Sequence, residues 1–203
     1  MINLRHTDAK KLANMITEVF ALGDKYGTNF LHNYAYREHF AIMQLKKIII
    51  DIESDNKICG KDFTSKDYKN GELKSCTCKR LKSGHWSKSK IKFEFDKQTD
   101  PIRRKQTKQY DCLVFSAFDR SNIVFQAVIR KSPAIRCFKR LVNTKQKEFI
   151  KKQRAKKALG QKMNRDSIAF TYADLKDMEG VEYFINGKTV RFSTIKALFG
   201  DKT

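Results

Sequence analysis

The chain has 203 residues, with 43 Lys and Arg against 22 Asp and Glu, for a formal net charge of +21. Such an excess goes beyond what solubility needs and points to a polyanionic partner; with no apolar run long enough to cross a membrane and no amphipathic terminal helix with bulky anchors, that partner is nucleic acid. The length is that of one domain over 1–203 with a core of its own, and the five scattered cysteines (Cys59, Cys76, Cys78, Cys112, Cys137) are odd in number, as expected in a reducing cytoplasm.

In chain order, the spacing of Leu12, Met15, Ile16, Val19 and Phe20 predicts a helix over 7–22, capped by Thr7 and ended by Gly23. A second helix is expected over 30–48, with Leu31, Ala35, Phe40, Met43 and Leu45 near one face and a polar insert that includes Glu38 and His39. The apolar run 48–52 fits either the end of that helix or the start of a strand. Two short strands then flank the turn-forming residues 64–70, which predicts a hairpin centred near Asp67. Cys76 and Cys78 are separated by one residue, too few for a structural zinc pair, and read as strand thiols.

Beyond the hairpin, 78–90 is a Gly- and Ser-containing loop with the sole tryptophan, and its Lys79, Arg80, His85 and Lys88 are expected to contact phosphate or bases. Residues 90–95 alternate as a half-buried strand does. The connection 99–109 is basic again, and its Arg103, Arg104, Lys105 and Lys108 are candidate DNA contacts, the arginines because a guanidinium grips phosphate or guanine bidentately. Residues 110–119 and 123–129 are apolar enough to be strands buried on both faces, with Asp111 and Asp119 as turn residues at their ends. Residues 143–165 predict a strongly basic helix facing DNA. A strand at 168–172, a helical turn around 174–178, a hairpin on Asn186-Gly187 and a last short helix ending at Gly200 complete the chain.

The hairpin concentrates the chemistry. Side chains on a strand alternate, so Glu72 and Lys74 share one face, and a turn centred near Asp67 brings Asp62 beside them. Two carboxylates at that separation can share Mg²⁺, with Lys74 next to them to orient or deprotonate a water and to offset developing phosphate charge. Asp67 also precedes Glu72 at an allowed distance, but its neighbours are turn material, whereas Asp62 leads into apolar Phe63.

Asp62 with Glu72-Leu73-Lys74 resembles the PD-(D/E)xK nuclease family, and within it the type II restriction endonucleases; Lys61 stands where the motif usually has proline. The resemblance covers roughly 30–130. It implies an α/β fold of the mixed α+β kind, with a restriction endonuclease-like core in which a central mixed β-sheet is flanked by helices; the basic helix and small β-hairpin of 143–203 lie outside it. It further implies Asp62, Glu72 and Lys74 as catalytic residues, Asp62, Glu72 and Glu38 as metal carboxylates, Mg²⁺ as cofactor and double-stranded DNA as substrate. A two-fold homodimer is the simplest way to cut both strands of a symmetric site. No P-loop is present, so no nucleotide cofactor is expected. Two other readings remain open at this point: a non-catalytic basic protein that binds DNA or RNA, and a repair or RNA nuclease on the same fold.

Overall fold

The structure, a computed structural model, describes residues 34–49, 51–54, 62–119, 122–162 and 165–201, together with positions 11, 14–19 and 21–22 of the first expected helix. Residues 14–19 are helical. Helix α1 spans Tyr34–Leu45 and closes in a turn at 46–48; positions 49, 51 and 52 are neither helix nor strand, and β1 (Glu53–Ser54) follows. Then come β2 (Phe63–Thr64), β3 (Gly71–Thr77), β4 (Lys92–Asp96), α2 (Pro101–Thr107), β5 (Cys112–Phe118), β6 (Ile123–Ile129) and the long α3 (Ser132–Ala158). The chain finishes with β7 (Ser167–Thr171), α4 (Tyr172–Lys176), β8 (Glu182–Ile185), β9 (Lys188–Val190) and α5 (Phe192–Leu198).

Seven strands form one sheet in the order β1-β2-β3-β5-β6-β8-β9, and β4 pairs with β7 in a second, two-stranded sheet. Among the described strands only β3 and β5 run parallel; the other pairings are antiparallel, so the central sheet is mixed. The parallel step requires a long crossover, and the chain supplies it with residues 78–111, including β4 and α2. Strands β5 and β6 are buried along their whole length, as their unbroken apolar runs require. One face of the sheet packs Leu73, Val114 and Val128 against Phe40, Ala41 and Leu45 of α1. The other packs Leu113, Phe115 and Phe125 against the β4–β7 layer and against Phe138, Val142 and Phe149 of α3. Aromatic rings dominate there: Phe93 stacks on Phe115 at 4.6 Å between centroids, and Phe138 on Phe170 at 4.9 Å. The architecture is thus α/β, a central mixed sheet with helices on both faces.

Several boundaries differ from expectation for identifiable reasons. The basic connection at 99–109 contains a helix, α2, because the Asp100 carboxylate accepts from the Ile102 amide while Pro101 occupies the first turn. The basic helix starts at Ser132, eleven residues before the expected 143, because Pro133 opens it and Ala134, Phe138 and Val142 extend its apolar stripe backwards. It stops at Ala158 rather than 165, where Gly160 takes a left-handed φ of +68°. The Asn186-Gly187 turn forms as expected, with φ of +52° and +77° joining β8 to β9.

Candidate active site

The hairpin of β2 and β3 pairs Phe63 with Gly71, which centres its turn on Asp67. Gly71 is required by packing: the edge of the Phe63 ring lies where a Cβ would stand. The turn is held by Ser65, whose amide donates to the Tyr68 carbonyl at 2.8 Å and whose hydroxyl accepts from the Tyr68 amide at 3.1 Å. Asp111, just ahead of β5, accepts from the amides of Lys69 and Asn70, each at 3.0 Å. Asp111 is therefore a turn residue, as is Asp119, which accepts from Asn122 at 2.6 Å.

This register sets Asp62 against Glu72. The Asp62 amide donates to the Gly71 carbonyl at 2.8 Å, and its carboxylate accepts from the Leu73 amide at 2.7 Å. Asp67 is exposed in the turn, away from that contact. In β3, Glu72 pairs in register with Leu113 and Lys74 with Phe115, so both project to the face away from α1. Glu72 is 5 % exposed and forms an ion pair with Lys74. The Lys74 ammonium stands 5.4 Å from the centroid of the Phe95 ring. The Tyr110 hydroxyl, arriving from the end of the crossover, donates to Glu72.

Burial controls the electrostatics. It raises Glu72 from 4.5 to about 7; Lys74 opposes that rise, while the neighbouring Asp62 charge adds to it. Asp62 is also raised by burial, against the pull of Lys74 and the Leu73 amide. Tyr110 is pushed up by burial and by the Glu72 carboxylate it faces. Two partly desolvated carboxylates this close are hard oxygen donors of the kind a divalent cation takes. Among the described residues no group of three or more His, Cys, Asp and Glu is gathered for a metal; Asp62 and Glu72 are two carboxylates that could each offer oxygen donors.

Glu72, Lys74 and Tyr110 open on a pocket of about 180 Å³ that is completed by Phe95, Asp96, Lys97, Arg103 and Thr107. Arg103, on α2, is the one basic residue among the expected DNA contacts that lines it. Lys97 was not anticipated. It sits at the end of β4 with a left-handed φ of +56°, a conformation a lysine rarely adopts, and nothing in its local sequence signals this. Tyr110 was legible only as a strand residue.

The other expected residues are placed elsewhere. Arg104 donates to the carbonyls of Gln98 and Thr99 at 2.7 and 3.0 Å, bracing the loop before α2. Lys105 is exposed and Lys108 half-buried at the end of α2. The loop with Lys79, Arg80, His85 and Lys88 leaves the far end of β3, five residues or about 17 Å along the strand from Glu72. It is docked on the C-terminus of the chain. The Trp86 amide donates to the Leu198 carbonyl at 2.9 Å, Lys88 is ion-paired with Asp201, and His85 packs on Gly200. Arg80 donates to the Gly84 carbonyl and stacks 5.7 Å from the Trp86 ring. Glu38 lies on the backbone of α1, but its side chain is outside the described residues, as are those of His32, His39 and Cys59. The four described cysteines are free thiols. No described helix is long and apolar enough to cross a membrane.

Compared with family models and with curated proteins, the chain matches none.

Proposed function

We propose that the protein is a Mg²⁺-dependent endonuclease that hydrolyses phosphodiester bonds in double-stranded DNA. The observation that carries this reading is the partly desolvated pocket lined by Glu72, Lys74 and Arg103, with Asp62 opposite Glu72 in the hairpin and near enough for the Asp62, Glu72 and Lys74 charges to act on one another. Asp62 and Glu72 would hold the cation, which supplies Lewis acidity at the phosphate and a more acidic water. Lys74, kept in place by Glu72 and the Phe95 face, orients the attacking water and meets the charge that develops on the phosphoryl oxygens. Tyr110 holds the Glu72 carboxylate in orientation, and Arg103 receives a phosphate oxygen at the mouth.

The positive excess of the chain supplies the non-specific hold on DNA, so affinity falls steeply with salt. Each chain contributes one such pocket among its described residues, and two copies about a two-fold axis would cut both strands, in the manner of the type II restriction enzymes that Asp62 and Glu72-Leu73-Lys74 resemble. The free thiols suit the cytoplasm.

The deciding experiment is plasmid nicking with Mg²⁺ and with a chelator, on the natural protein and on Glu72→Gln and Lys74→Ala. Cleavage that needs Mg²⁺ and is lost in both variants, while they still retard duplex DNA on a gel, supports the assignment. Binding without cleavage by the natural protein across divalent cations would make it a non-catalytic nucleic-acid binder.

A further inference from the structure

The end of α3 beyond Ile150 does not serve the core. The helix's last deeply buried residue is Phe149, and the stretch from Lys151 to Ala158 carries five Lys or Arg and no acid. Beneath it, against β7, runs a groove of about 570 Å³, larger in volume than the 180 Å³ pocket at Glu72. Its floor is apolar, made by Phe149, Ile168, Ala169 and the Ala155 methyl, and its rim carries Lys145, Lys152, Lys156 and Arg165 against a single acid, Glu148. Lys145 is ion-paired with Asp174 at 2.9 Å, and Arg165 is anchored on Glu94. Lys152 and Lys156, one turn apart on α3, have no acidic partner among the described residues. The groove also adjoins the candidate active site: Ser167, which lines it, is the register partner of Asp96, which lines the pocket with Glu72 and Lys74.

We infer that this groove binds unpaired nucleotides, a short single-stranded stretch of the polynucleotide running past the β4–β7 edge from the Glu72 pocket. A duplex offers phosphates and base edges but keeps its base faces stacked, so it would satisfy the cations and leave the apolar floor unused. An unstacked strand uses both, with phosphates on Lys152 and Lys156 and a base face on the floor between them. The inference rests on the nucleic-acid reading above, though not on cleavage.

The test measures binding alone, on the full chain carrying Glu72→Gln and without divalent cation, by fluorescence anisotropy with a short labelled oligothymidylate and with a duplex of equal length. Joint Lys152→Glu and Lys156→Glu substitution should weaken oligothymidylate at least about tenfold and flatten its log affinity against log salt by about 0.7 per lost contact. The same reversals at Lys147 and Lys151, on the same helix outside the groove, should do less. Ala155→Trp fills the groove without changing charge and should weaken oligothymidylate while sparing duplex. Ultraviolet crosslinking of a bromouracil oligonucleotide to the unsubstituted chain should label peptides covering 149–156 or 165–169. Equal losses from both charge pairs, an Ala155→Trp protein that binds oligothymidylate normally, or crosslinks confined to other segments would overturn the inference. Failure of nicking with these binding results intact would instead count against the nuclease reading alone.

Discussion

The phenol of Tyr110 donates its hydroxyl to the carboxylate of Glu72, joining the end of the crossover to the second residue of β3. That bond favours the charged carboxylate, against a burial that raises it to about 7. Metal binding requires the deprotonated acid, so the apparent affinity for Mg²⁺, read as a thermal shift, should strengthen as pH rises through about 7. Tyr110→Phe keeps the ring and deletes the donor. It should move that midpoint upward by about one pH unit, the equivalent of one hydrogen bond to a charged group. An unmoved midpoint would show that the hydroxyl does not govern Glu72.

Glu72 also sets a pH dependence of stability. Its folded pKa, about 7, lies above the ordinary 4.5, so between those values the native state holds a proton that the unfolded chain has released. The stabilisation is full below pH 4.5 and is lost as pH rises through about 7. Its upper limit is about 3 kcal/mol, at 1.36 kcal/mol per unit. Glu72→Gln stays neutral, so its melting temperature should exceed that of the natural protein well above pH 7, and the advantage should shrink on acidification. A lower melting temperature for Glu72→Gln at every pH would refute the buried, strained carboxylate.

Asp62 and Asp67 can be separated by a paired substitution. Asn at 62 should remove Mg²⁺-dependent thermal shift and cleavage together, because the carboxylate that faces Glu72 is lost. Asn at 67 leaves an exposed turn residue with the same turn chemistry and should retain most of both. The reverse pattern would mean that the hairpin is out of register with the acids.

Arg103 and Arg104 are neighbours with different work. Arg103 lines the pocket, whereas Arg104 is committed to the carbonyls of Gln98 and Thr99. Arg103→Ala should lower DNA affinity and cleavage with little change in melting. Arg104→Ala should cost about 1–3 kcal/mol in stability, as expected for charged hydrogen bonds, with a smaller effect on binding in protein that remains folded. Chemical denaturation and gel retardation on the two variants distinguish these outcomes.

What could be read from the sequence was local. The hairpin around Asp67, the buried runs of β5 and β6 and the Asn186-Gly187 turn each carry their signal within a few residues, and they bring Asp62, Glu72 and Lys74 together. Tyr110 was hidden because its value lies in reaching Glu72 across a parallel pairing that no local pattern announces. Lys97 depends on an unusual φ, and the docking of 78–90 on the chain terminus depends on contacts such as Trp86 with Leu198. Charge density misled for the same reason: Lys88 and Arg104 look free in sequence and are spent on Asp201 and on two carbonyls.

The parallel crossover also bears on when the protein becomes competent during synthesis. The acid hairpin is complete once Lys74 has emerged, but Tyr110 follows 36 residues later, and β5 must still form beside β3 before the phenol can meet Glu72. Helix α2, with Arg103, is braced in turn by Gln146 of α3, whose side-chain amide donates to the Arg104 carbonyl at 3.1 Å and to Gln98 at 2.9 Å. A nascent or prematurely ended chain therefore displays the carboxylates without Tyr110 and Arg103 beside them. Long-range pairing of this kind is slow compared with hairpin closure, so the assembled pocket arises late, after most of the chain has left the ribosome. If the proposed nuclease activity holds, incomplete chains would carry the acids without the pocket that activity needs.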